Sequence, residues 1–185
     1  MRSRVATAKT YVALLRGINV GGRKKVSMAD LRALVEAVGA EDVATHLQSG
    51  NVILRSREPA AALGPAIEAA IERELGIDVT VVLRTGAQLR KVVGGNPLAG
   101  RESDPKKLHV AFLAETPERS RVAKLDPARA EPDVFHVAGR EIYLHYPNGY
   151  GRSKLTNAWL EQQLGVAATT RNWRTVTRLA ELAGR

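Results

Sequence analysis

Cysteine is absent from the 185 residues, which excludes disulfides, thiolate nucleophiles and cysteine-ligated zinc or iron–sulfur centres and fits a reducing, cytoplasmic setting. Long apolar runs are also missing. The best candidate near the start, Tyr11–Leu15, is cut off by Arg16, far short of the roughly 18 uninterrupted apolar residues a membrane span needs. Residues 1–9 lead into no signal-peptide core and read as a short tail. Aromatic residues make up only 4% of the chain, so any surface for stacking bases has to be small. Acidic residues are scarce at both ends. Residues 1–30 hold Arg2, Arg4, Lys9, Arg16, Arg23, Lys24 and Lys25 against Asp30, and residues 147–178 hold Arg152, Lys154, Arg171, Arg174 and Arg178 against Glu161.

What is present is an ordinary globular balance, 44% hydrophobic and 25% charged, with 28 Lys+Arg against 19 Asp+Glu and a net charge of +9. That charge favours phosphate-bearing partners by long-range attraction. The same excess also follows from an Ala- and Arg-rich base composition, so its distribution is more informative than its total.

Patterning predicts the elements in order. Thr10–Arg16 is a buried strand ended by Gly17. Apolar positions 28, 31, 34, 35 and 38 follow the helical period between the caps Ser27 and Gly39. Val43–Gln48 and Asn51–Arg55 form a hairpin about Ser49-Gly50, a weak turn signal. Glu58–Leu75 is helical, with Pro65 splitting or kinking it. Asp78–Arg84 is a strand and Gly86–Val93 a short helix. After a turn-rich linker at 96–105, the order repeats: strand 107–113, helix 117–125, hairpin strands 133–137 and 141–146, helix 153–164, strand 166–170 and helix 173–182. This is an α+β chain of two tandem ferredoxin-like βαββαβ halves with antiparallel sheets, at 10–95 and 106–185. Strand order 4-1-3-2 then brings Gly17–Lys25 beside Gln48–Asn51, and Pro147–Lys154 beside Arg171–Trp173.

Those loops carry Arg16, Asn19, Lys25, Gln48, Ser49, Asn51, Arg152, Ser153, Lys154, Thr156, Arg171 and Asn172, a set of cations, amides and hydroxyls without a nearby carboxylate. Together with glycine N–H groups it suits phosphate or carboxylate binding. It disfavours magnesium or calcium, which need anionic oxygen ligands. No cofactor and no metal site are expected. The four histidines are scattered singly on strands, without metal-ligand spacing. GGRKKVS at 21–27 and GYGRSKLT at 149–156 do not fit the nucleotide phosphate loop, and neither Ser49 nor Ser153 sits on a nucleophile elbow.

Four ordered segments, LLRGINVGG at 14–22, QSGNV at 48–52, YPNGYGRSKLT at 146–156 and TRNWRTV at 170–176, resemble the bacterial Domain of Unknown Function 1697 family from about Thr10 onward. The resemblance implies a duplicated, ferredoxin-like architecture and no known activity. Three functional readings follow. The first is binding of a small phosphate-bearing anion in a basic cleft between the halves, through Arg16, Asn19, Gln48, Ser49, Asn51, Arg152, Ser153, Lys154, Arg171 and Asn172, with catalysis left open. The second is sequence-tolerant nucleic-acid binding by the basic face. The third is a structural role, in which the loops only brace the halves and Arg171 or Arg152 is paired internally.

Overall fold

The computed structural model describes residues 7–184; the expected tail, with Arg2 and Arg4, falls largely outside the described residues. The chain divides into two compact units, one running through Gln88 and including the chain from Glu181, the other Leu89–Ala180.

The first unit runs β1 (Lys9–Leu15), α1 (Met28–Ala37), β2 (Glu41–His46), β3 (Asn51–Ser56), α2 (Ala60–Leu75) and β4 (Val81–Thr85), and α3 (Gly86–Gly94) follows. Its sheet has the order β2-β3-β1-β4 with every pairing antiparallel. The second unit repeats this with β5 (Leu108–Leu113), the one-turn helices α4 (Arg119–Val122) and α5 (Pro127–Ala130), β6 (Val134–Ala138), β7 (Glu141–His145), α6 (Asn157–Leu164) and β8 (Ala168–Asn172), in the order β6-β7-β5-β8; α7 (Trp173–Leu182) closes the chain. Both are ferredoxin-like α+β sheets.

Local chemistry explains the boundaries. The Ser27 hydroxyl accepts from the Asp30 N–H at 3.0 Å and starts α1, satisfying one of the orphan donors of the first turn. Helix α2 runs unbroken through Pro65, which is exposed on its outer side. The helix expected at 117–125 is only the single turn α4, and a second single turn, α5, follows it, because Asp126 precedes Pro127 and is held extended while its carboxylate caps α5. Helix α6 begins at Asn157 rather than near Ser153, since the Thr156 hydroxyl takes the capping N–H of Trp159.

Period two assigns the sheet faces. Tyr11, Ala13, Leu15, Val52, Leu54, Val81 and Leu83 pack with Leu31, Val35, Leu63, Ile67 and Ile71 of α1 and α2. In the second unit Ala111, Leu113, Ile142, Leu144 and Ala168 pack with Leu160 and Leu164 of α6. The far face of each sheet is buried as well. Val12, Leu14, Val110 and Phe112 have no exposed surface, which accounts for the uninterrupted apolar runs Tyr11–Leu15 and Val110–Leu113 within β1 and β5; each such side chain contributes about 1.5–3 kcal/mol by leaving water. On this far face the duplication repeats one unusual choice. Val12 pairs with Arg84 as Val110 pairs with Arg171, so a buried arginine occupies the same register position in both units, 1% and 8% exposed.

No helix among the described residues is long and apolar enough to cross a membrane.

Candidate functional site

The edge of the first unit is built around Asn19. The residue sits at φ 54°, a left-handed conformation that asparagine tolerates better than most residues. Its Nδ2 donates to the Val26 carbonyl at 3.0 Å and to the Gln48 carbonyl at 2.7 Å, while its Oδ1 accepts from the Val26 N–H at 2.9 Å. One amide therefore pins the loop after β1 to the β2–β3 turn, and both ends of that amide are used. Asn51, wholly buried, donates to the His46 carbonyl at 2.8 Å and the Ser49 hydroxyl at 3.0 Å. The turn spans Leu47–Gly50 rather than two residues, with Leu47 at φ 62° and Gly50 at φ 80°. Arg16 is half-buried and its N–H bonds the Thr80 carbonyl. The Lys24 ammonium donates to the Asp78 carbonyl, and the Gln48 side chain is exposed. Arg16, Asn19, Gln48, Ser49 and Asn51 thus do lie at one sheet edge, with the Asn19 and Asn51 amides holding its backbone in place.

At the second unit's edge, β7 and β8 both end beside the start of β5, where Leu108 pairs with His145 and His109 with Asn172. Asn172 Nδ2 reaches the Pro105 and Lys106 carbonyls at 3.3 Å each, and its Oδ1 accepts from the Arg174 N–H at 3.0 Å, so it ties β8 to the entry of β5. Arg171 points to the far face, where its guanidinium donates to the Thr169 hydroxyl at 2.6 Å and the Thr170 carbonyl at 3.1 Å; burial lowers its pKa to about 10. Arg152 and Lys154 are exposed. The two arginines therefore do not share an open surface.

Ser153 has a positioning role. Its hydroxyl donates to the buried Asp133 carboxylate at 2.6 Å and accepts from the Leu155 N–H at 2.8 Å, and Leu155 in turn accepts from the Tyr146 hydroxyl at 3.1 Å. Lys154 is held between these two anchored residues. It lines a groove of about 700 Å³ with Lys124, Asp126, Arg129, Leu155, Trp159 and Gln163. The one carboxylate there, Asp126, caps α5 through the Ala128 N–H and lies 3.6 Å from Arg129 Nε. Three cations from two chain segments, 124–129 and the loop before α6, thus line one groove. Trp159 and Gln163, four apart, share a face of α6, a spacing the sequence displays; Lys124, between α4 and α5, and Arg129, in the one-turn α5, come from a stretch some thirty residues away and carried no comparable signal.

Behind the 147–154 loop the His109 ring stacks on Tyr150 at 5.3 Å and meets Tyr146 edge-on at 5.1 Å. Burial lowers the His109 pKa to about 4, and its Nδ1 is buried without a hydrogen-bond partner. The unfolded chain therefore takes up a proton near pH 6.5 that the folded chain refuses until about pH 4. Stability should be unaffected by this group above pH 6.5 and fall as pH drops from 6.5 towards 4, by about 1–2 kcal/mol once residual solvent contact is allowed for. Urea denaturation across that range should show the slope, and His109→Phe should flatten it; an unchanged slope in the variant would assign the effect elsewhere.

Glu102 bonds His145 Nε2 at 2.9 Å and lies 4.0 Å from Lys107 Nζ. The Asp104 N–H and His145 hold its carboxyl below the usual range. Among the described residues no group of three or more His, Asp or Glu side chains is arranged to hold a metal ion.

The structure is similar to that of the conserved bacterial protein SP0830 from Streptococcus pneumoniae, with a TM-score of 0.75 and 22% identity over 96% of this chain and 99% of that one. At that identity the likeness speaks for the fold alone. No curated protein matches the chain. The model of the family described as Protein of unknown function (DUF1697) matches residues 8–143. The segments at 146–156 and 170–176 lie beyond the matched span, but with nearly three quarters of its length matched the chain belongs to the DUF1697 family.

Proposed function

We propose that this protein binds a small phosphate-bearing anion in the groove beside Lys154. The observation that carries the reading is the meeting of Lys124, Arg129 and Lys154 at one concave surface where the lining carboxylate, Asp126, caps α5 and lies beside Arg129, leaving an excess of two positive charges. Like charges gathered from separate segments repel, and an anion bridging them relieves that repulsion while gaining charge-assisted hydrogen bonds. The backbone on either side of Lys154 is fixed by the hydrogen bonds of Ser153 to Asp133 and Leu155, which lowers the backbone entropy lost on binding. The absence of cysteine supports a reducing, cytoplasmic setting for this binding.

The alternative, sequence-tolerant nucleic-acid binding, draws on the +9 charge. The surface on which ferredoxin-like RNA-binding domains stack bases is the far face of the sheet, and here its central side chains are buried in both units.

Calorimetric titration with inorganic phosphate is the direct test. Lys154→Ala and Arg129→Ala should each weaken binding by about 10- to 100-fold, as expected for a lost charge-assisted bond of about 1.5–3 kcal/mol. Folding should be unchanged, because both side chains are exposed. Unaltered affinity in both variants would remove the groove from consideration. Preferential binding of oligonucleotides, weakening by about one log unit per phosphate contact for each tenfold rise in salt, would favour the alternative.

A further inference from the structure

The groove holds more than cations, and its additional residues bear on which anion it takes. Trp159 is half-buried: part of the indole packs against the core beside Leu155 and Leu160, and part lines the groove. Gln163 lies one turn further along the same face of α6. In a chain with only two tryptophans and 4% aromatic residues, one indole stands at the place where three cations meet. An inorganic phosphate needs neither a ring surface nor an amide. The volume, about 700 Å³, is within the range of sites for organic molecules, ~300–1,000 Å³.

Resting on the anion-binding reading, we infer that the groove beside Lys154 takes a nucleoside phosphate, its phosphate met by Lys124, Arg129 and Lys154 and its base by the Trp159 ring and the Gln163 amide. Each part of the ligand answers a part of the lining. The phosphate carries the charge that three cations require. The base offers a flat π-face, and stacking on an aromatic side chain contributes about 1–3 kcal/mol. The Gln163 amide presents donors and an acceptor in one plane, the complement of a base edge. Asp126 adds a single negative charge beside Arg129, leaving a net positive groove suited to a mono- or diphosphate.

The test uses the full-length chain carrying Trp173→Phe, so that Trp159 is the sole indole, and titrates it with inorganic phosphate, ribose 5-phosphate and adenosine and uridine monophosphates. Nucleoside monophosphates should bind about 10-fold or more tightly than ribose 5-phosphate and quench Trp159 fluorescence, the gain expected from one stacked base. Trp159→Leu should erase that advantage while leaving phosphate affinity in place. Trp159→Phe, which keeps apolar packing, should retain part of it. Equal affinity for ribose 5-phosphate and the nucleotides, without quenching, overturns the nucleoside assignment and leaves anion binding standing. Failure of every compound, inorganic phosphate included, overturns both.

Discussion

Replacing Gly50 with alanine is expected to cost about 2–5 kcal/mol and to lower Tm by roughly 10 °C. Two independent terms make up this loss. Gly50 has φ 80°, where an L-residue is penalised by about 1–2 kcal/mol. A Cβ there would also stand 2.7 Å from Ile18 Cδ1 and 2.9 Å from Leu15 Cβ, inside van der Waals range, and both neighbours are fixed in the first unit's core. Overpacking of that kind adds about 1–3 kcal/mol. Gly17→Ala separates the terms. Its φ is 69° but nothing lies within 4 Å of the added atom, so it should lose only the conformational part. Equal losses from the two substitutions, read by thermal or urea denaturation, would show that the Ile18 contact yields without cost.

Asn19→Ala should be the next most damaging change at this edge, at about 3 kcal/mol, from three hydrogen bonds worth ~1 kcal/mol each. It leaves the Val26 N–H without its side-chain acceptor and unties the 17–26 loop from the β2–β3 turn. Affinity for phosphate at the Lys154 groove should not change, because Asn19 belongs to the other unit. A variant with normal stability and lost anion affinity would reverse this assignment, making the Asn19 amide part of a ligand site. Denaturation and calorimetry on the same sample decide between the two.

Much of the fold was legible because local signals agreed with tertiary packing. Ser27, the period-3.6 apolar positions and Gly39 marked α1 to within a residue or two, and the apolar run of Thr10–Arg16 marked β1. Other places were opaque for identifiable reasons. Strand β8 covers Ala168–Asn172 rather than 166–170, taking in Arg171-Asn172, which read as loop, because pairing with β5 outweighs weak propensity. Edge strand β2 begins two residues earlier than alternation indicates, since a register irregularity between Glu41 and Ala44 spoils its period. Among the candidate site residues, sequence could show which loops meet at each sheet end, but not that the Arg171 side chain turns to the buried far face while Arg152 stays exposed. It could not show that Asn19, Asn51, Ser153 and Asn172 have their side-chain atoms engaged by neighbouring backbone and side chains, because those partners lie between 2 and 67 residues away.

The repeated unit has divided its labour unevenly. In one copy the amides of Asn19 and Asn51 at the sheet's end are consumed in stitching a loop to a turn, and in the other a similar stitch, from Asp133 through Ser153, leaves a lysine standing clear. Duplication makes such a split available: once a fold exists twice in one chain, one copy's edge can harden into scaffold while the other's remains free to vary its side chains. Random mutagenesis should therefore meet intolerance through loss of folding at both stitches, and through loss of the proposed anion affinity alone at Lys154.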